Sequence, residues 1–419
     1  MPSYKIQTNP LTNYNILVFD QSLKNNSSLS FINTNVSRNS RDYNANVSAL
    51  LCDLYDKKVK WNLFGMAAIS QIFGDTSVHK TLRGYYYNIN FARVSGNFNF
   101  TVSRELSDDK YTYQDMGYFT NNNYLNHTLF LGYKILKPHS FYNSLYFNST
   151  TTYSQRFLPR SYQSVTFYNN VNGQLKNLGS YYFQVNIDAA LHDFYEPRTS
   201  GYVFKKPGSW LMGVYLSSND AKKLSGSFGL FHRFFHTYES TSDELDLVGQ
   251  YRFNKKLSLN LSTTISPRNN SLGYATNVND SVIFALRRIR NVENIFTAKY
   301  NFTNKMGISL RVRHYWSKLE ANKFMNLDKN GELTQIRGIS VNPNNNVDFF
   351  NVDMTYNWQF AQGSYFTITW KNAISTQDER VYTDYYKNLN NTLIHSNQMN
   401  SISIKIIYFL DYLDIKKHK

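Results

Sequence analysis

Long stretches of this chain alternate apolar and polar residues with a period of two, and that pattern limits the fold more than any other feature. In 257–266, Leu257, Leu259, Leu261 and Ile265 share one side against Ser258, Asn260, Ser262, Thr264 and Ser266. In 308–316, Ile308, Leu310, Val312 and Trp316 oppose Ser309, Arg311 and Arg313. Residues 181–192 set Tyr181, Phe183, Val185, Ile187, Ala189 and Leu191 against Gln184, Asn186, Asp188 and His192. Further on, Phe350, Val352, Met354, Tyr356, Trp358 and Phe360 oppose Asn351, Asp353, Thr355, Asn357 and Gln359. Near the end, Ile402, Ile404, Ile406, Tyr408, Leu410 and Tyr412 oppose Ser401, Ser403 and Lys405. Successive side chains of a strand point to opposite faces, so each window is expected to be a strand with one apolar face. Helical periodicity extends nowhere beyond a few turns.

Many of these windows run roughly 10–15 residues, beyond the mode of about 5–6 in globular sheets. A tilted strand that crosses a bilayer needs about 9–11 residues. The 34 Tyr and 30 Phe border the apolar faces, where an apolar ring with a wet tip suits a membrane interface. No apolar run approaches the roughly eighteen residues of a spanning helix; Leu63–Ile69 and Val282–Leu286 are among the longest. Hydropathy alone would therefore read a soluble chain, but a barrel signals by alternation. Tight polar turns are expected at Lys57-Lys58, Lys137-Pro138-His139, Asn254-Lys255-Lys256, Thr303-Asn304-Lys305 and Gln362-Gly363. Long irregular pieces are expected over 107–123, 193–206, 268–279, 318–345 and 377–396. Short turns on one rim and long loops on the other describe an outer-membrane meander. The expected fold is all-β, an antiparallel transmembrane up-and-down β-barrel of roughly twenty strands. It occupies 1–419 as one domain, with 1–12 a lead-in and 413–419 a polar tail. A soluble β-sandwich would use shorter strands with turns about every 8–12 residues, and a propeller would show a blade repeat.

The opening segment, Asn13-Tyr-Asn-Ile-Leu-Val-Phe-Asp-Gln-Ser-Leu-Lys-Asn-Asn-Ser-Ser-Leu-Ser-Phe-Ile-Asn-Thr-Asn-Val36, resembles the uncharacterised outer-membrane β-barrel domain of Bacteroidota surface proteins that often follows a carbohydrate-binding-like module. Asp42-Tyr-Asn-Ala-Asn-Val47 and Ser401-Ile-Ser-Ile-Lys-Ile-Ile-Tyr-Phe-Leu-Asp-Tyr412 are similar to it as well. The resemblance implies an outer-membrane location and supplies no catalytic residues. It also implies that the upstream module, a signal peptide and some early strands precede Met1. The chain ends in Asp-Ile-Lys-Lys-His-Lys, so a terminal-aromatic assembly signal would be internal, at Tyr408 or Tyr412.

Chemistry-bearing motifs are sparse. Ser225-Gly-Ser-Phe-Gly229 lacks the first glycine of a nucleophile elbow and lies in a strand pattern. His232 and His236 share a face, but four residues along a strand is about 13 Å, too far for one metal. A single thiol, Cys52, excludes a disulfide scaffold and a cysteine-cluster metal site. Asp108-Asp109 and Asp378-Glu379 are expected as solvated or cation-binding rim residues. No enzyme activity, cofactor or metal is expected. The strands begin near Asn13, which leaves no room in this sequence for the plug of an energy-coupled receptor.

The chain holds 45 Lys+Arg against 29 Asp+Glu. Alternation places Lys134, Arg252, Lys299, Arg311, Arg313, Lys371 and Lys405 opposite the apolar side, toward a lumen. They are read either as a structural ladder paired with acids such as Asp188, Asp246 and Asp353, or as an anion path. Leu257, Leu259, Leu261, Ile402, Ile404, Ile406 and Tyr408 are expected to face lipid. Arg287-Arg288 and Arg290 are expected in loops or turns that contact lipopolysaccharide phosphates or acidic glycans. The functional expectation is a non-enzymatic subunit of a bacterial cell-envelope complex with partner-binding extracellular loops. The alternative is a porin-like passive path for small polar or anionic glycan-derived solutes. Expected partners are outer-membrane lipid, lipopolysaccharide, other envelope proteins and glycan, and nucleic acid is set aside.

Overall fold

The computed structural model of the protein describes residues 10–39, 43–74, 81–118, 121–338 and 341–410. Its first strands are β1 (Leu11–Ser22), β2 (Ser28–Asn39), β3 (Asn44–Tyr55), β4 (Trp61–Phe73), β5 (Leu82–Arg93) and β6 (Phe98–Ser107). There follow β7 (Tyr124–Ile135), β8 (Tyr142–Arg156), β9 (Ser161–Leu175), β10 (Ser180–Asp188), β11 (Leu191–Asp193) and β12 (Phe204–Lys206). Next come β13 (Ser209–Ser217), β14 (Leu224–Phe235), β15 (Thr241–Arg252), β16 (Leu257–Val278), β17 (Ser281–Thr303) and β18 (Met306–Leu327). The chain ends with β19 (Leu333–Ile336), β20 (Asn345–Ala361), β21 (Ser364–Asp378), the helix α1 (Tyr385–His395) and β22 (Gln398–Ile407). Twenty of these strands form one up-and-down antiparallel sheet among the described residues, as the alternation predicts. The chain is nearly all β.

By compactness the chain divides into two units. The first comprises Met1–Leu136, Leu145–Val171 and Asn186–His192; the second comprises Lys137–Ser144, Asn172–Val185 and Asp193–Lys419. In the first unit β1 through β7 pair each with the next. The second unit carries the meander β13 through β18, then β20 to β22.

The register settles what each face carries. One row in the second unit runs Leu259, Ala298, Leu310, Met354, Trp370, Ile402. The adjacent row, pointing to the other face, runs Asn260, Thr297, Arg311, Asp353, Lys371, Ser401. Period two in sequence thus becomes one apolar and one polar face. The apolar face is open to the surroundings: Leu261 is 53% exposed, Ile402 73%, and Ile404 and Ile406 64% each.

Connections are short at one end of the strands. Asp56 folds the β3–β4 turn by accepting the N–H groups of Lys60 and Trp61 at 2.6 and 2.9 Å. Asn254 does the same for Lys256 and Leu257 at 2.8 and 2.9 Å. Gly363, with φ +70°, turns β20 into β21, a conformation that suits a residue without Cβ. Aromatic side chains gather beside these turns. Trp61 stacks on Phe91 at 5.5 Å in the first unit. In the second, Tyr251 meets Phe253, Tyr300 meets Phe302 and Trp358 meets Phe360, at 4.6, 5.0 and 5.8 Å.

The opposite end departs from expectation. Residues 268–278 are strand, not loop, because β16 continues to Val278 and pairs with β17 across register shifts at Arg268/Ser271 and Tyr274/Thr276. Strand β18 likewise continues to Leu327 and pairs with β19, so only parts of 318–345 are irregular. The 193–206 piece contains β12, and 377–396 contains α1. Strand β10 ends at Asp188, short of the expected 192, and β22 ends at Ile407. The lead-in gives way to strand at Leu11. Residues 1–9, Tyr412 and the 413–419 tail lie outside the described residues.

Candidate functional site

The polar face of the second unit carries most of the basic residues singled out from sequence. Arg311 and Lys371 flank Asp353 in one cross-strand row, and Lys371 Nζ lies 3.8 Å from the Asp353 carboxylate. Arg313 donates from Nε to Glu293 at 2.5 Å. Asp246 accepts the Thr264 hydroxyl at 2.6 Å instead of a cation. One row nearer the turns, Arg252 and Lys299 stand on either side of Ser258; one row further, Lys405 pairs in register with Thr367. Among the described residues no acid lies within ion-pair distance of Arg252, Lys299, Arg311 or Lys405. Lys134, in the first unit, sits in β7 opposite Tyr146 and likewise has no ion pair among the described residues. The face is therefore part ladder and part unpaired cation. Lys255, Lys256, Lys299 and Lys305 surround a depression of about 690 Å³ at the turn end.

On the apolar face, Leu257, Leu259 and Leu261 stand in register with Tyr300, Ala298 and Phe296. Ile402 and Ile404 pair with Trp370 and Ile368. Tyr408 follows β22 and stacks on Phe360 with centroids 6.2 Å apart.

The long-loop end of the second unit is folded rather than loose. Strands β16, β17 and β18 span 22, 23 and 22 residues. Toward the β16–β17 hairpin, Val282, Phe284, Leu286, Met325 and Leu327 close around Phe204 as a local apolar core, with Phe204 and Phe284 rings 4.8 Å apart. Arg287, Arg288 and Arg290 lie in β17, not in a loop. The Arg287 guanidinium donates to the carbonyls of Ser271 and Tyr274 at 3.2 and 3.3 Å, while Arg288 and Arg290 are exposed.

Helix α1 packs on β20 and β21 through a buried polar network that sequence reading missed. Asp384 caps the helix by accepting the Lys387 N–H at 2.7 Å. Asp348, fully buried, accepts from Asn388 at 2.6 Å and from Asn346 at 3.0 Å. His314 contacts Asp348 at 3.2 Å through Nε2 and the Tyr385 hydroxyl at 2.7 Å through Nδ1. Asn294 donates to that hydroxyl at 2.9 Å. The set is satisfied if Tyr385 donates to Nδ1 and His314 Nε2–H donates to Asp348. Each polar atom has a partner, so the network fixes the helix and offers no free group for chemistry.

In the first unit, the segment Asp108–Tyr118 folds back over the face of β2 to β5 that carries Ala49, Ala68 and Ser70. Asp108 accepts the N–H groups of Tyr85, Lys110 and Tyr111 at 2.9, 3.0 and 2.7 Å. Ser70 accepts the Thr112 N–H at 3.1 Å, and Asp115 accepts from Arg38 and from the Tyr43 hydroxyl. Burial and the Asp115 charge push the Tyr43 hydroxyl above its usual range. Tyr111 is buried over Ala49 and Ala68, and burial pushes its hydroxyl up to about 12. Beneath this loop lies a cavity of about 440 Å³ with Tyr86, Tyr124 and Glu105 among its lining. No sequence signal marked it, because tyrosines and strand acids are common along the whole chain.

The remaining candidates do not assemble. Ser225 to Gly229 lie within β14. His232 contacts Asp243, not His236, and no cluster of three metal-ligating side chains occurs among the described residues. Asp378 accepts the Arg380 N–H and Glu379 accepts from Asn342, at 3.0 and 3.2 Å.

Among solved structures, the chain resembles the anion-selective porin from Comamonas acidovorans at 10% identity and a TM-score of 0.28, over 87% of this chain and 90% of that one. No curated protein matches it. The family profile described as a domain of unknown function, DUF5916, matches residues 2–419, and the chain belongs to that family.

Proposed function

We propose that the protein is the wall of an integral bacterial outer-membrane β-barrel and acts as a non-enzymatic subunit of a cell-envelope complex. Its partners are outer-membrane lipid, lipopolysaccharide and envelope proteins that dock on the long-loop end. The exposed apolar rows, bordered by aromatic rings at the turn end, support the membrane setting, since soluble proteins seldom leave contiguous apolar area in water. The observation that carries the docking reading is the length of β16 to β18. At roughly 3.3 Å per residue these strands reach about 70 Å, around twice what a bilayer crossing requires. The excess ends in its own apolar core around Phe284, so the projection is a preformed surface and loses little entropy on binding. A photo-crosslinking residue placed at exposed Arg288 or Arg290, followed by mild detergent extraction from native membranes, is expected to trap another envelope protein. A chain that is extracted alone, with no adduct from either position, contradicts this reading.

A porin-like path is the second reading, favoured by the unpaired Arg252, Lys299, Arg311 and Lys405 on the polar face. Confined cations draw small anions, including anionic glycan-derived solutes. Planar-bilayer recordings are expected to show anion-selective current, and a folded preparation without current counts against it.

A further inference from the structure

We propose that the cavity beneath the segment Asp108–Tyr118 binds an organic cation of the methylated or quaternary ammonium type. A single carboxylate defines its polarity. Glu105 Oε1 accepts the hydroxyls of both Tyr86 and Tyr124, at 3.0 and 2.9 Å. Two neutral donors hold the carboxylate in place but leave its charge uncompensated. Among the described residues no Lys, Arg or His pairs with Glu105, although the chain as a whole has an excess of cations. A lined cavity with an unmatched negative charge favours a positive occupant.

The rings select among cations. Tyr86 and Tyr111 lie 5.4 Å apart at 26°, and Tyr113 meets Tyr111 at 6.0 Å and 62°. Two walls at an angle, with Tyr124 on the carboxylate, line one volume with aromatic rings whose faces are electron-rich. Met66 and Met116 complete a largely apolar lining. A hydrated metal ion would find one carboxylate and no second acid in the lining. A methylated ammonium sheds its water easily, fits aromatic faces and needs one anion nearby. The cavity, at about 440 Å³, is of ordinary small-ligand size. A sugar could also use tyrosines and a carboxylate, but it would not neutralise Glu105.

The inference does not depend on the membrane reading, because binding is measured on the folded purified chain whatever its native setting. Tetramethylammonium and choline are titrated into the full chain by calorimetry, with sodium chloride and glucose as comparison solutes. Saturable binding of both ammonium probes is expected, with neither sodium nor glucose binding. Glu105→Gln keeps an acceptor for the two tyrosine hydroxyls and removes the charge. It is expected to weaken tetramethylammonium binding by at least about tenfold. Tyr111→Leu is expected to weaken it too, and hydrogen exchange of 108–118 in Glu105→Gln should match the parent, which separates lost binding from a displaced loop. No saturable binding by the parent chain overturns the proposal. So does undiminished binding by Glu105→Gln, and so does a preference for glucose.

Discussion

Replacing Gly84 with alanine tests whether the segment Asp108–Tyr118 is seated on the sheet of the first unit. A Cβ at this position would lie 2.1 Å from Tyr111 N, 2.2 Å from Tyr111 Cα and 2.4 Å from Lys110 C. These are backbone atoms, so no rotamer change relieves the clash. Ordinary contact begins near 3.5 Å, so the loop must retreat by roughly 1.4 Å or β5 must deform. The bond from Tyr111 N to Asp108, now 2.7 Å, and that from Thr112 N to Ser70, now 3.1 Å, would both pass hydrogen-bonding range. Two such bonds at about 1 kcal/mol each, with part of the Tyr86–Tyr111 stack, lower the loop's opening energy by roughly 2–3 kcal/mol. Hydrogen exchange across 108–118, followed by mass spectrometry, is then expected to speed up by about 30- to 150-fold, with β3 to β6 unchanged. If exchange in this segment matches the parent while the strands stay protected, the loop does not rest on Gly84 and the cavity beneath it is not formed as described.

Three other outcomes are expected. The Asp56 carboxylate is held below its ordinary value by the backbone N–H of Trp61 first and then those of Lys60 and Lys58. A depressed folded value means that its support for the β3–β4 turn is present above the unfolded value of 3.8 and fades as pH falls through the lower folded one. Protection factors at Lys60 and Trp61 should therefore drop below that value, and constant protection down to strongly acidic pH would refute the assignment. Phe284→Ala empties a fully buried site and should cost about 3–5 kcal/mol locally; limited proteolysis should nick the β16–β17 hairpin while the remaining strands stay resistant. Asn388→Leu leaves Asp348 and Asn346 each short of a partner and should loosen α1 by about 1–3 kcal/mol, read as faster exchange over 385–395 alone.

What the sequence made legible follows from where each strand sits. Over 257–266 one side meets apolar neighbours and the other meets polar ones, so the alternation survives and the strand is visible. Past Arg268 the same strand becomes unreadable for two reasons. Register shifts after Arg268 and Tyr274 change the phase of the alternation, and Asn269-Asn270 read as a turn. In β17, Val282 to Leu286 are buried on both faces, so the run is continuous and carries no period at all. Helix α1 was hidden for a related reason. Its buried positions are Asn388 and Thr392; Asn388 satisfies Asp348 and Asn346 rather than joining an apolar core, and a polar residue four positions from another leaves no hydrophobic stripe.

The same reasoning explains why the basic residues were placed on the polar face from sequence while their pairing was not. Alternation fixes the face of Arg311, Lys371 and Asp353, but the neighbour across the sheet depends on register. Only the register brings Asp353 between Arg311 and Lys371 and leaves Arg252 and Lys299 flanking a serine. An exposed pair such as Lys371 and Asp353 contributes little to stability, so its removal should be tolerated. The unpaired cations near the turns cost self-repulsion without any structural return, which makes them the better place to look for a solute. Position along the strands therefore separates the two readings. If charge reversal at Lys299 changes ion selectivity and charge reversal at Lys371 does not, the turn-end cations belong to a path. If neither does, the polar face is a solvated wall, and function resides in the projecting ribbons of β16 to β18.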